Sequence, residues 1–100
     1  MNQQKAYHVH INGIVQGVGF RPFVYGLATR YELNGWVRNT SEGVDIEVTG
    51  PEDILDQFIS SLENEAPPLA QIDSLHFEEI PIDNQESFQI LHSQSVDGGF

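Results

Sequence analysis

The chain has 100 residues, 39% hydrophobic and 19% charged, the composition of one packed globular domain rather than a disordered or fibrous chain. Four Lys and Arg against 15 Asp and Glu leave a net charge of -11, the wrong sign for gripping nucleic-acid backbone or an anionic membrane surface. No cysteine is present, which excludes disulfides, thiolate nucleophiles and Cys-ligated zinc or iron-sulfur sites.

The start, Met1 to Lys5, is polar, with no basic stretch leading into an apolar one. Nowhere do about 18 apolar residues run together. A soluble, unexported, cytoplasmic domain is expected. From Tyr7 to Val15, apolar Tyr7, Val9 and Ile11 alternate with His8, His10 and Asn12, the two-residue period of a half-buried strand. Gly13, Gly17 and Gly19 follow too densely for a regular element and suit a tight loop that lets a ligand approach the backbone.

Pro22 fits a first helical turn, and Phe23, Val24, Leu27, Ala28 and Tyr31 recur on one helical face. Leu33-Asn34-Gly35 is the expected left-handed stop. Trp36 to Asn39 and Val44 to Thr49 read as strands joined by the hairpin loop Thr40-Ser41-Glu42-Gly43, with Val44, Ile46 and Val48 on the buried face. Gly50-Pro51-Glu52-Asp53 opens a second helix whose stripe is Ile54, Leu55, Phe58, Ile59 and Leu62, and Ala66-Pro67-Pro68 cannot continue it. Weaker strands follow over Ile72 to Ile80 and Ser87 to Leu91.

The order β, α, β, β, α, β and a short final β predicts an α+β, ferredoxin-like split βαβ sandwich, two helices on one face of an antiparallel sheet. Residues 1–92 form the expected domain and residues 93–100 a flexible tail. Trp36, Phe58, Phe77 and Phe88 are expected in or at the edge of the core. Asp45 and Glu47 are expected in solvent, and Arg38 in solvent or an ion pair, since its strand neighbour Asn39 points the other way. His8 and His10 share a strand face but lack a third ligand nearby in sequence, and His76 and His92 are far off, so no metal is expected.

The segment Val15-Gln16-Gly17-Val18-Gly19-Phe20-Arg21 joins a strand end to a helix start, where unpaired N–H groups and the helix dipole favour an anion. A guanidinium there can hold two phosphate oxygens while the amides of Gln16, Gly17, Val18, Gly19, Phe20 and Arg21 cradle the others. There is no Gly-Lys-Ser/Thr end for a P-loop, and Gly13, Gly17 and Gly19 have the wrong spacing for dinucleotide binding. By composition alone these glycines equally make a plain tight turn beside a solvated Arg21.

The stretch Gly13-Ile14-Val15-Gln16-Gly17-Val18-Gly19-Phe20-Arg21 resembles the first signature of the acylphosphatase family, and Gly35-Trp36-Val37-Arg38-Asn39 with Gly43 resembles the start of the second. The resemblance covers roughly residues 7–91. Phe20-Arg21-Pro22-Phe23-Val24-Tyr25 and Pro67-Pro68-Leu69-Ala70-Gln71-Ile72 resemble one branch, the acylphosphatase-like N-terminal domain of the HypF family of hydrogenase-maturation carbamoyltransferases. Between Gly43 and Gly50 the strand is one residue shorter than in the ordinary second signature, as in that branch.

The resemblance implies hydrolysis of an acyl phosphate, in this branch carbamoyl phosphate, with Arg21 binding phosphate and Asn39 positioning water. It implies no cofactor or metal in this domain. The implied partners are the small-molecule acyl phosphate, the downstream domains of a parent chain from which this one is excised, and through that parent the maturation partner HypE. The alternative is a non-catalytic module on the same fold that binds acyl phosphate or protein. An RNA-recognition module is disfavoured, because no basic central strand carries paired aromatics.

Overall fold

The computed structural model describes residues 3–83 and 85–91. Its elements run β1 (Gln4–Ile14), α1 (Phe20–Arg30), β2 (Asn34–Thr40), β3 (Gly43–Pro51), α2 (Glu52–Asn64), β4 (Gln71–Ile80) and β5 (Phe88–Ile90). They match the element order read from the sequence, and the tail expected over residues 93–100 lies outside the described residues. One sheet has the order β4-β1-β3-β2-β5. The first four strands pair antiparallel, as expected, whereas β5 adds to the edge in parallel with β2, so the sheet is mixed. Both helices lie on one face and pack against each other, giving the ferredoxin-like α+β arrangement.

Alternation decides which face they cover. Val9, Ile46 and Val37 stand in one row across β1, β3 and β2, Ile11 stands beside Val44, and all five are fully buried. Against this row α1 lays Phe20, Val24, Leu27 and Ala28, and α2 lays Leu55, Phe58, Ile59 and Leu62. Burying each large aliphatic or aromatic side chain stabilises the fold by about 1.5–3 kcal/mol, so this two-layer core is the main source of cohesion. Glu52 and Asp53 sit at the positive end of α2, and Lys5 reaches Glu52 at 3.2 Å, tying the helix start to β1.

The stop of α1 differs from the expected one. Glu32 takes the left-handed conformation with φ 58°, its N–H donates to Thr29 at 3.0 Å, and the Leu33 N–H donates to Ala28 at 2.9 Å. These are the paired bonds of a Schellman ending, with buried Leu33 supplying the apolar contact. Asn34 and Gly35 already belong to β2, so the sequence signal lies two to three residues too late. A side chain at a left-handed position costs about 1 kcal/mol or more. Glu32→Gly is expected to raise unfolding free energy by about 0.5–1 kcal/mol. A denaturant midpoint at or below that of the parent would show that Glu32 earns its place through contacts instead.

Two further expectations are corrected. Trp36 is not in the core: it pairs with Glu47 on the helix-free face, with the Arg38 guanidinium 5.0 Å over its ring and His8 edge-on at 6.2 Å. Asp45 and Glu47 are only partly in solvent, because His8, His10, Trp36 and Arg38 crowd the same face of neighbouring strands. Phe58 and Phe88 are buried. Phe77 stacks on Tyr7 at 5.2 Å from the edge strand β4 and stays half exposed. Among the described residues no helix is long and apolar enough to cross a membrane.

Candidate active site at the first strand-helix junction

The loop between β1 and α1 is pinned at both ends. Val15 and Phe20 are each 1% exposed, and Val18 packs against the core, which leaves Gln16, Gly17 and Gly19 at the surface between them. Gly17 and Gly19 have φ 74° and 80°, and a β-carbon at either would meet nothing within 4 Å. Backbone conformation, not crowding, calls for glycine at these two positions, and the open space lets a ligand reach the main chain.

Gly19 caps α1 without a side-chain hydrogen bond. Among the described residues no protein acceptor receives the N–H groups of Gln16, Gly17, Val18, Gly19, Phe20 or Arg21. Successive unpaired amides at the positive end of a helix form an anion-binding geometry.

Arg21 occupies the first turn of α1 and is partly exposed. Lys5 is paired with Glu52 and Glu79 and Arg30 with both carboxylate oxygens of Glu65, while Arg38 lies over the Trp36 ring on the helix-free face with its Nε buried and without a hydrogen-bond partner. Among the described residues, Arg21 is the basic residue without a carboxylate or aromatic partner. In a chain of net charge -11, an unpaired guanidinium beside unpaired amides is a local reversal of sign.

Asn39 lies near the end of β2 on the helix-covered side, in line with Val37 and opposite Val44. Its Oδ1 is buried with no hydrogen-bond partner. An acceptor left unbonded costs about 1–3 kcal/mol, and in a native site such an atom commonly serves a water or ligand.

The Gln16 side chain joins the two motifs. Its Nε2 donates to the carbonyl of Thr40, the residue after Asn39, and to that of Gly43 at 2.8 Å. Both amide hydrogens are therefore committed to the β2–β3 turn, and only the main-chain N–H of Gln16 remains for an anion. Nothing in the sequence pattern signals this link, which spans 24 and 27 positions along the chain. A polar hollow of about 260 Å³ adjoins it, lined by Gly13 to Gln16 and Ser41 to Gly43.

The helix-free face carries a separate cluster. His10 stands opposite His76 across β1 and β4, a neighbour the sequence separation hid. One His10 ring nitrogen bonds Asp45 and the other lies 3.0 Å from Asn12 Oδ1. The bond to Asp45 holds the His10 pKa above the usual histidine value, against a smaller opposing effect of burial. Among the described residues no group of three or more His, Asp or Glu has the geometry to hold a metal ion.

Fold and junction together define a ferredoxin-like α+β domain that offers unpaired main-chain amides and a free arginine where its first strand meets its first helix. The chain belongs to the acylphosphatase family, whose model matches residues 7–90. The probable carbamoyltransferase HypF of Methanocaldococcus jannaschii is 43% identical over 89 residues, which are 88% of this chain and 12% of that protein. The acylphosphatase of Pseudothermotoga lettingae is 39% identical over 88 residues, 87% of this chain and 98% of that one. Among solved structures, full-length HypF in a phosphate- and nucleotide-bound form superposes with TM-score 0.89 at 40% identity, covering 100% of this chain and 13% of that one. The chain thus spans about an eighth of the HypF relatives, at their N-terminal domain, and nearly all of a small acylphosphatase.

Proposed function

We infer that the domain hydrolyses acyl phosphates, carbamoyl phosphate foremost, to phosphate and a carboxylate or carbamate. The observation that carries this reading is the coincidence of unpartnered groups: six successive residues with unpaired loop amides, a free Arg21, and the buried unbonded Oδ1 of Asn39. Each would be costly or idle in a purely structural turn, and together they suit a phosphoryl group and a water.

The residues act by holding. The Arg21 guanidinium grips two phosphoryl oxygens and the amides from Gln16 to Arg21 grip the rest, lowering the energy of charge that builds on them as the acyl–phosphate bond breaks. Asn39 accepts a hydrogen bond from water through Oδ1 and sets its line of attack. An amide has no useful proton-accepting pKa, so Asn39 orients and does not deprotonate. An acyl phosphate already has a good leaving group, so position and charge neutralisation supply most of the acceleration, with no covalent nucleophile or metal required.

In a longer chain of the carbamoyltransferase kind, the same site would release carbamate from carbamoyl phosphate for activation by downstream domains, in a cytoplasmic maturation enzyme that passes the group to HypE. Phosphate release by the purified domain from carbamoyl, acetyl and benzoyl phosphate tests the reading. Turnover well above the uncatalysed rate supports it. Phosphate binding without turnover would leave a recognition module in its place.

Asn39→Ala is expected to lower kcat by about 10²-fold or more while inorganic phosphate inhibits as before, since water positioning is lost and the amide cradle is not. Inhibition weakened with kcat intact would instead make Asn39 a phosphate ligand.

A further inference from the structure

Gln16 sits inside the loop that faces the anion, yet its side chain points its donors elsewhere. Nε2 bonds two carbonyl oxygens, those of Thr40 and Gly43, at the base of the turn between β2 and β3. These flank the exposed pair Ser41 and Glu42, and Thr40 directly follows Asn39. The loop is otherwise fastened by apolar packing, by Val15 and Phe20 in the core at its ends and by Val18 against the core in between. The distance between the loop amides and Asn39 is therefore set by this one side chain and by the packing of α1 on β2.

We propose that Gln16 is a positioning residue for acyl-phosphate hydrolysis: its carboxamide bolts the amide loop to the strand end that carries Asn39 and fixes the gap between phosphate and attacking water. This rests on the hydrolytic reading above. It assigns the Gln16 side chain no contact with substrate, water or the reacting phosphorus.

The chemistry selects glutamine. Two N–H donors must leave one atom towards two carbonyls, which a primary amide supplies and a carboxylate cannot, since its oxygens would face two other acceptors. Asparagine is one methylene shorter and falls short of the turn. In-line attack tolerates little error: a misplacement of about 1 Å can cost about 10²-fold in rate, whereas the amides that bind phosphate stay on the loop whether or not the bolt is closed.

Three measurements test this. In the native protein, the Gln16 side-chain amide protons are expected to be protected from solvent exchange without ligand and to keep their resonances when inorganic phosphate saturates the site. Gln16→Ala is expected to lose about 10- to 100-fold in kcat with phosphate inhibition unchanged. Gln16→Glu is expected to be as slow at neutral pH, with its rate relative to the native protein rising as pH falls into the carboxylic-acid range, because a protonated Glu regains one donor.

Side-chain protons that become protected only when phosphate is added would overturn the proposal and make Gln16 an anion ligand. So would a native kcat in Gln16→Ala, a parallel loss of kcat and phosphate inhibition, or a rate ratio for Gln16→Glu that stays flat with pH. The exchange measurement needs neither a variant nor turnover. A native chain without hydrolytic activity but with protected Gln16 protons would sink the hydrolase reading and leave the bolt standing.

Discussion

Arg21→Ala is expected to reduce kcat/KM for acyl phosphates by about 10³- to 10⁵-fold, the range in which arginines serve phosphoryl transfer, and to abolish competitive inhibition by phosphate. The expectation follows from what the rest of the chain cannot supply. Lys5 and Arg30 are paired with Glu52 and Glu65, and Arg38 lies over the Trp36 ring on the helix-free face, so none of them stands in for Arg21. Among the described residues no carboxylate pairs with Arg21, and exposed charges farther than about 8–10 Å are screened at physiological salt.

The same substitution should leave the fold intact. Arg21 is partly exposed in the first helical turn, touches no carboxylate, and alanine is a good helix former. Unfolding free energy should move by less than about 0.5 kcal/mol, as for surface substitutions generally. Arg21→Lys should recover only part of the rate, since an ammonium cannot bridge two oxygens in one plane. A folded Arg21→Ala protein with native turnover would remove the hydrolytic site from this junction.

Much of this architecture is legible in the sequence because it is encoded by period. The alternation through Tyr7, Val9 and Ile11, the row Val44, Ile46 and Val48, and the helical stripe Leu55, Phe58 and Leu62 each state which face is buried, and each does so in the structure. Residue type at the junction is equally readable: glycines at positive φ and an arginine in the first helical turn. What stays hidden is set by contacts across the sheet. Glu32 ends α1 because the chain must turn there into β2, although asparagine and glycine stand just downstream. Trp36 faces away from the helices because its neighbour Val37 takes the core face beside Ile46, and alternation then puts Trp36 on the other. The bolt from Gln16 to the β2–β3 turn depends on two peptide oxygens, which no residue pattern displays.

Gly43→Ala is expected to be strongly damaging for so small a change, destabilising the domain by about 3–5 kcal/mol, a large part of the 5–15 kcal/mol typical of such folds. The sequence presents Gly43 as ordinary hairpin glycine, but the constraint comes from another strand. Its φ is 151°, and a β-carbon there would lie 2.0 Å from the Ile11 carbonyl oxygen and 3.1 Å from its carbon. Both are backbone atoms in the middle of the sheet, so neither can swing aside. Relief requires β1 and β3 to part where Ile11 pairs with Val44, two fully buried residues. The strained backbone itself contributes about 1–3 kcal/mol, and the forced separation a similar amount.

Gly17→Ala supplies the control. Its φ of 74° carries the left-handed penalty of about 1–2 kcal/mol, but a β-carbon there meets nothing within 4 Å. Denaturant midpoints should therefore separate the two variants by about 1–4 kcal/mol in unfolding free energy. The Gly43 carbonyl also receives a Gln16 hydrogen bond, so Gly43→Ala should lose turnover even at temperatures where it remains folded. Equal midpoints for the two variants would mean that the sheet yields at Ile11 at little cost, and that close backbone approach is not what reserves this position for glycine.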